Sequence, residues 1–385
     1  MLNRSQLKTT YSIGFLFALH GALLVYINSS FAAQAIGENA VSILYTVASI
    51  VSILLLIALP RLLRRFGNYH TTLTFLLIEL VAVIGLAVAH LPVLLILFFV
   101  AHNVLIRAVS FDIDIFLESS SSDGATGGIR GIFFTFINAA FVLSPLIVGL
   151  ILGNTTRYER LYALASLITI PVLIILMMRL RKYRDSKYER VSLLRTIREL
   201  SVYANVRRIM IAQAALRFFY AVMVIYSPIY LHNHLGFSWG AIGTIFTIML
   251  LPFVLLELPL GKIADRWLGE KEILVLGLLT LAGATGVLSF ITAPSIALWA
   301  TALFMTRVGA SMIDIMSETY FFKIIDETDT HLIGFFRILD PFAYTIGPIF
   351  AGLIIYFVDI KYLFVILGAV ILLAIPSTLR LQDTK

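Results

Sequence analysis

Long apolar runs alternate with short polar breaks along the whole chain, and twelve of the runs are close to the ~20 residues that a helix needs to cross ~30 Å of hydrocarbon. They lie near 11–33, 39–59, 71–89, 92–117, 131–153, 160–178, 208–231, 239–260, 272–293, 295–318, 333–357 and 361–378. The runs are continuous rather than alternating at period two, which predicts helices and argues against a β-barrel. One long polar segment, residues 179–208, separates six spans from six. Within it Leu193, Ile197, Leu200 and Ala204 recur at helical spacing opposite Arg195, Arg198 and Glu199, the pattern of an amphipathic helix lying on a membrane surface. The expected organisation is a six-helix bundle over 1–178, a cytoplasmic linker over 179–207 and a second bundle over 208–385.

Composition narrows this further. Of 385 residues 60% are hydrophobic and only 13% charged, too apolar for a soluble core to absorb. Cysteine is absent, so thiolate metal sites and disulfides are excluded. The net charge of +7 invites a nucleic-acid reading, but the positions of the basic residues answer it. Ten of the 29 Lys and Arg fall in 179–208, and most others lie at the termini or in alternate connections; the opposite face carries Arg157, Arg160 and Lys361. This is the positive-inside bias, which places both termini in the cytoplasm of a multi-pass protein of the cytoplasmic membrane. The expected environment is therefore a lipid bilayer, with no nucleic-acid partner. The start of the chain has features of a secretory signal, with Arg4, Lys8 and "AQA" at 33–35, but its apolar stretch is long and eleven spans follow, so it reads as span 1.

The two halves repeat. Span 4 carries "RAVSFDIDIFLE" and span 10 "RVGASMIDIMSE", placing Arg107, Asp114 and Glu118 against Arg307, Asp314 and Glu318 at an offset of 200. "SPLIVG" (144–149) in span 5 matches "GPIFAG" (347–352) in span 11, and "PRLLRRFG" (60–67) after span 2 matches "GKIADRWLG" (261–269) after span 8. Three matches in one order point to a duplicated six-helix unit.

Twelve spans as six plus six, a basic linker and a G-x3-D-R loop after span 8 together resemble the major facilitator superfamily over essentially the whole chain. In the loop Gly261, Asp265, Arg266, Gly269 and Lys271 match that family's signature, with Leu268 inserted and Glu270 at a position that is normally basic. In the first-half copy Pro60 and Arg64 replace the glycine and aspartate, while Arg65 and Gly67 remain. "SPLIVG" is similar to the family's span-5 antiporter motif, with Leu150 where a second glycine is usual. The resemblance implies an all-α integral membrane fold of twelve helices in two pseudo-symmetric bundles. Pseudo-symmetry then turns the first-half loop toward the start of span 11 and the second-half loop toward the start of span 5. A cytoplasmic gate is therefore expected in which Asp265 meets Arg130 or the helix end beside it, and Arg61, Arg64 and Arg65 meet Asp326, Glu327 and Asp329; the alternative is that these charges only set topology.

Candidate chemistry lies on polar residues within spans, where each is costly unless partnered. Steps of 7 and 11 residues put Arg107, Asp114 and Glu118 on one helical stripe, and likewise Arg307, Asp314 and Glu318. Each arginine either serves a proton- or anion-binding site or is held by carboxylates of its stripe or a neighbouring span. Glu79 near the middle of span 3, and Arg217 and Glu257 at similar depth in spans 7 and 8, are candidates for proton coupling; the last two also read as a structural ion pair. His20 and His102 at mid-depth, with Asn103, Asn138, Asp340 and Tyr344, form the candidate substrate-binding set. "HNH" (232–234) lacks a third ligand and reads as a solvated loop. Pro341, after Asp340, is expected to bend span 11.

A secondary transporter is the expected function: a small organic solute moved by alternating access, coupled to protons, with a lean toward export of amphipathic compounds. No phosphate loop G-x4-G-K-[ST] supports ATP-driven transport. No catalytic motif, cofactor or metal is expected, and the chain is expected to act as a monomer. Uptake of metabolites or sugars, a membrane enzyme and a lipid scramblase on a similar fold remain the alternatives.

Overall fold

The computed structural model describes residues 4–119, 126–181, 183, 203–256, 259–260, 269–324 and 330–382. Among these residues every regular element is helical. The first half holds α1 (Arg4–Val25), α2 (Asn28–Ile36), α3 (Glu38–Val88), α4 (Pro92–Glu118), α5 (Thr126–Leu152) and α6 (Glu159–Arg179). The second holds α7 (Ala204–Ile229), which continues as a π-helical turn over Tyr230–His234, α8 (Trp239–Leu255), α9 (Glu270–Leu288), α10 (Ile296–Ile324), α11 (Thr330–Phe357), α12 (Tyr362–Leu372) and α13 (Ile375–Thr378). Each of the twelve sequence spans overlaps one or more of these helices. Nine of the described helices are long and apolar enough to cross a membrane; the 51-residue α3 carries two of the expected spans, and Trp239–Leu255 and Tyr362–Thr378 are shorter apolar helices.

Two local expectations are corrected. The break expected after span 2 is helix as far as Phe66: Leu59 and Leu63, one turn apart, are buried while Arg61, Arg64 and Arg65 are exposed, so the amphipathic pattern carries the helix through Pro60. The chain leaves helical geometry only at Gly67, at φ 78° and ψ 162°, a region open essentially to glycine. Its second-half counterpart, Gly269, has φ −71° and ψ 166°, ordinary extended backbone, so no special freedom is used there. Span 1 is likewise two helices, interrupted at Tyr26 and Ile27, just before buried Asn28, Ser29 and Ser30, whose short polar side chains compete with helical backbone bonds.

The chain divides into two compact units, Met1–Arg190 with Ser238–Gly243, and Val191–Phe237 with Thr244–Lys385. The linker expected over 179–207 lies for the most part outside the described residues. In the first unit α1 packs on α5 and α6, and α3 on α4 and α6, around a core that includes Ile13, Phe17, Leu76, Leu105, Phe116 and Leu176. In the second, α9 packs on α10 and α12, and α7 on α10 and α11. Leu54, Met178, Leu279, Leu353 and Tyr356 are exposed, an apolar exterior suited to lipid rather than water. Leu150 is 78% exposed, which puts the position of the missing second glycine on that exterior rather than in a helix crossing.

Candidate functional site

Inside the first unit three helices each contribute one polar side chain to a single buried point. Glu79 of α3, His20 of α1 and His102 of α4 are 0%, 0% and 2% exposed. Glu79 Oε1 lies 2.8 Å from His20 Nε2 and 2.6 Å from His102 Nδ1, so one carboxylate oxygen serves both rings. The rings approach edge to face with centroids 5.9 Å apart, and His20 stacks on Phe17. An isolated carboxylate at this depth would cost several kcal/mol; two imidazoles within hydrogen-bonding distance offset that cost.

A second layer fixes each ring from behind. His20 Nδ1 lies 3.1 Å from the Ala165 carbonyl oxygen and 3.1 Å from Thr169 Oγ1, both on α6. Asn28 Nδ2 donates to His102 Nε2 at 3.2 Å, and Tyr162 donates to Asn28 Oδ1 at 2.7 Å. The result is a continuous dry chain, Tyr162–Asn28–His102–Glu79–His20–Thr169, drawn from five helices. Glu79 Oε2 has no hydrogen-bond partner among the described residues. One ligand atom from each of His20, Glu79 and His102 falls within a 4.8 Å group, close enough for these residues to share a metal ion, but the 2.6 and 2.8 Å contacts are those of shared protons.

Sequence reading placed Glu79 among proton-coupling residues and the two histidines among substrate-binding ones; the structure joins all three. It missed Asn28, Tyr162 and Thr169. Asn28 was legible as an amide at the end of an apolar run, whereas Tyr162 and Thr169 look like ordinary membrane residues until α6 is packed. Asp112 of α4 was also missed: it is fully buried, with Thr72 donating to its Oδ2 at 3.3 Å and Asn68 Nδ2 donating to its backbone carbonyl at 3.0 Å.

The remaining candidates of this unit lie apart from the triad's hydrogen bonds. Asn103 donates to Phe99 O within its own helix, and half-buried Arg107 donates to Asn103 O at 2.9 Å and Ser52 Oγ at 3.4 Å. Asn138 is half-buried on α5. Asp114 is half-buried and Glu118 exposed toward the end of α4, while Arg64 and Arg65 are exposed on α3, Arg65 lying over the Phe66 ring.

The second unit carries its own polar cluster. Arg217 Nη2 of α7 pairs with Asp314 Oδ1 of α10 at 2.9 Å. Gln213, in the amide orientation that satisfies its neighbours, accepts from Arg217 Nε and Nη2 at 3.0 and 2.7 Å and donates to Ser317 Oγ at 2.7 Å. Arg217 thus takes its carboxylate from α10; Glu257, considered as its partner, lies outside the described residues. Arg307, expected to share a stripe with Asp314, is 1% exposed and sits over the Phe219 and Tyr220 rings at 4.9 and 5.6 Å. Cation–π contact of this kind is worth about 2 kcal/mol when desolvated. Glu318 on α10 and Asp340 and Tyr344 on α11 are half-buried, and α11 runs unbroken through Pro341.

Of the charged loop, Gly261, Asp265 and Arg266 lie outside the described residues, as do Asp326, Glu327, Asp329 and the side chain of Arg130. Gly269 caps α9, and beside it Glu270, at the position the family fills with a basic residue, is buried and paired with Lys323 of α10. Reversing the charge at 270 therefore supplies a bridge between neighbouring helices. In "HNH", His232 Nδ1 donates to Phe237 O at 2.9 Å, and Asn233 and His234 are exposed.

Two helical units carry polar clusters within an apolar exterior, the architecture of a multi-pass membrane protein. The family model described as Major Facilitator Superfamily matches residues 10–243 and 209–384, and the chain belongs to that family. Comparison with the curated proteins finds no match. Among solved structures the chain is similar to the nucleoside transporter NupG (12% identity, TM-score 0.75, 98% of this chain and 100% of that one). It is similar also to a bacterial homologue of the human lysosomal transporter Spinster (13%, TM-score 0.73, 98% of each chain). A third is PepTSo of the POT family (13%, TM-score 0.73, 97% and 96%). At these identities the likeness is one of fold. The chain is a multi-pass transporter and not an enzyme.

Proposed function

We propose that the protein is a proton-coupled secondary transporter that exports a small amphipathic organic solute across the cytoplasmic membrane by alternating access. Both termini are cytoplasmic and the monomer is the working unit. The observation that carries the proton reading is the fully buried Glu79 oxygen shared by His20 and His102. A carboxylate between two imidazoles can keep a proton inside the bilayer without an uncompensated charge, which a coupling site requires.

In this reading Asn103, Asn138, Asp340 and Tyr344 present polar groups to the solute. Arg107, the Arg217–Asp314 pair, Glu257 and Arg307 set the electrostatics around it. The loop residues Arg64, Arg65, Gly261, Asp265, Arg266 and Gly269, with Arg130, Asp114, Glu118, Asp314 and Glu318, serve cytoplasmic gating.

The test is reconstitution into liposomes loaded with a pH-sensitive dye and challenged with a panel of amphipathic solutes. A transported solute moves protons in the wild type, and a Glu79→Gln variant that still folds and reconstitutes stops that movement. Solute-driven proton movement that persists in Glu79→Gln would sink the reading.

A further inference from the structure

The wiring around His20 contains more than a proton-binding ring. Apart from the Thr169 hydroxyl, both nitrogens face groups that can only accept: the Ala165 carbonyl at 3.1 Å from Nδ1 and, when Glu79 is ionised, its Oε1 at 2.8 Å from Nε2. An imidazolium satisfies both with its two N–H groups. A neutral ring cannot, because whichever nitrogen loses its hydrogen then points a lone pair at an oxygen lone pair. On the His102 side no such conflict arises, since Asn28 is held by Tyr162 as a donor to Nε2 and Nδ1–H donates to Glu79.

One group can resolve the conflict at His20. Thr169 Oγ1 lies 3.0 Å from the Ala165 carbonyl and 3.1 Å from His20 Nδ1, so its single hydrogen can be given to either with little movement of heavy atoms. We infer that Thr169 is a positioning residue for proton coupling, a hydroxyl rotor that bonds Ala165 while His20 is charged and turns to Nδ1 when the ring gives its proton up. The step balances: the imidazolium Nδ1–H bond breaks, a water admitted when the site opens in the proposed alternating-access cycle takes the proton as hydronium, and the electron pair stays on Nδ1, where the Thr169 hydroxyl donates to it. Both nitrogens of the His20 ring then have partners in both states, so neither state strands a buried ring nitrogen.

The ionisable groups that face the His20 ring are Glu79 from α3 and His102 from α4. α6 presents Ala165 and Thr169, and α1 itself presents Phe17. Thr169 is fully buried, and the hydroxyl adds nothing to helix propensity, so a purely structural role predicts no effect on the titration of the ring.

The inference rests on the triad as the proton site, and two readouts keep the two apart. Nitrogen-15 NMR of histidine-labelled protein in detergent follows the His20 ring, assigned by its absence in His20→Gln, across pH. Thr169→Val keeps the shape and removes the hydroxyl, leaving the neutral ring facing Ala165 unaided. The His20 midpoint should then rise by about one pH unit, the worth of one buried hydrogen bond, while Thr169→Ser stays at the wild-type midpoint. Should Thr169→Val fail to fold, Thr169→Ala carries the same expectation. An unchanged midpoint in the hydroxyl-free variant, with Glu79→Gln still abolishing solute-driven proton movement, overturns the rotor alone. Proton movement surviving in Glu79→Gln overturns the proton site beneath it.

Discussion

Replacing Glu79 by alanine removes the acceptor on which two buried imidazoles converge. Each of the two hydrogen bonds, at 2.8 and 2.6 Å, involves an ionisable partner in a site closed to solvent, and such bonds contribute about 1.5–3 kcal/mol net. Losing both costs about 3–6 kcal/mol, a large share of the roughly 5–15 kcal/mol that holds a typical folded protein together. Glu79→Gln keeps the shape and one acceptor oxygen but loses the charge, so it should cost about half as much. Thermal unfolding of the purified protein in one detergent at one pH reads this directly, and the expected order of melting temperature is wild type, then Glu79→Gln, then Glu79→Ala. The reasoning fails if Glu79→Ala melts with the wild type, because two stranded imidazole nitrogens in a dry core cannot be free of cost. It fails also if Glu79→Gln is the less stable of the two variants, since the glutamine retains what alanine lacks.

Other expectations bear on the scaffold. A Cβ at Gly309 would lie 2.5 Å from Leu281 N and 2.8 Å from Gly277 O, so Gly309→Leu should force α9 and α10 apart and destabilise the second unit by about 1–3 kcal/mol or more; a melting temperature equal to wild type would show that the crossing is not as close as described. Gly67→Ala must place a side chain at φ 78°, ψ 162°, a strain of about 1–3 kcal/mol, whereas Gly269→Ala at φ −71° should cost little; equal losses at the two positions would refute the asymmetry. The Arg217–Asp314 pair is 22% and 29% exposed, so a double-mutant cycle on alanine variants should give a coupling of about 1 kcal/mol after solvent screening, and a coupling near zero would reduce it to proximity.

Much of this architecture was legible from the chain alone, for reasons that can be named. Twelve apolar runs of bilayer length admit only helices, because backbone polar groups in hydrocarbon must be bonded within their own segment. The 200-residue offset between "RAVSFDIDIFLE" and "RVGASMIDIMSE" exposed the duplication that the family match over 10–243 and 209–384 reflects. Glu79, His20 and His102 were each conspicuous, since an ionisable residue in an apolar run is costly wherever it points. Their partnership was not: they are separated by 59 and 23 residues, and helical periodicity gives the face a residue occupies but not which neighbour that face meets. Stripe geometry failed for the same reason in the second unit. Arg307 and Asp314 do share a helical face, yet Asp314 pairs with Arg217 and Arg307 lies on aromatic rings of α7.

By itself, then, the sequence determined what the bilayer dictates: helices of spanning length, their duplication and the residues too polar to lie among them by accident. Only the tertiary structure decided which polar groups meet. The charge on a buried side chain is made tolerable by groups on other helices, and those groups can be as inconspicuous as the hydroxyls of Thr169 and Tyr162. A threonine hydroxyl in a membrane helix has no signature in sequence, because the i−4 carbonyl of its own helix can satisfy it anywhere. It acquires a particular role here because α6 sets it within 3.1 Å of a histidine on α1.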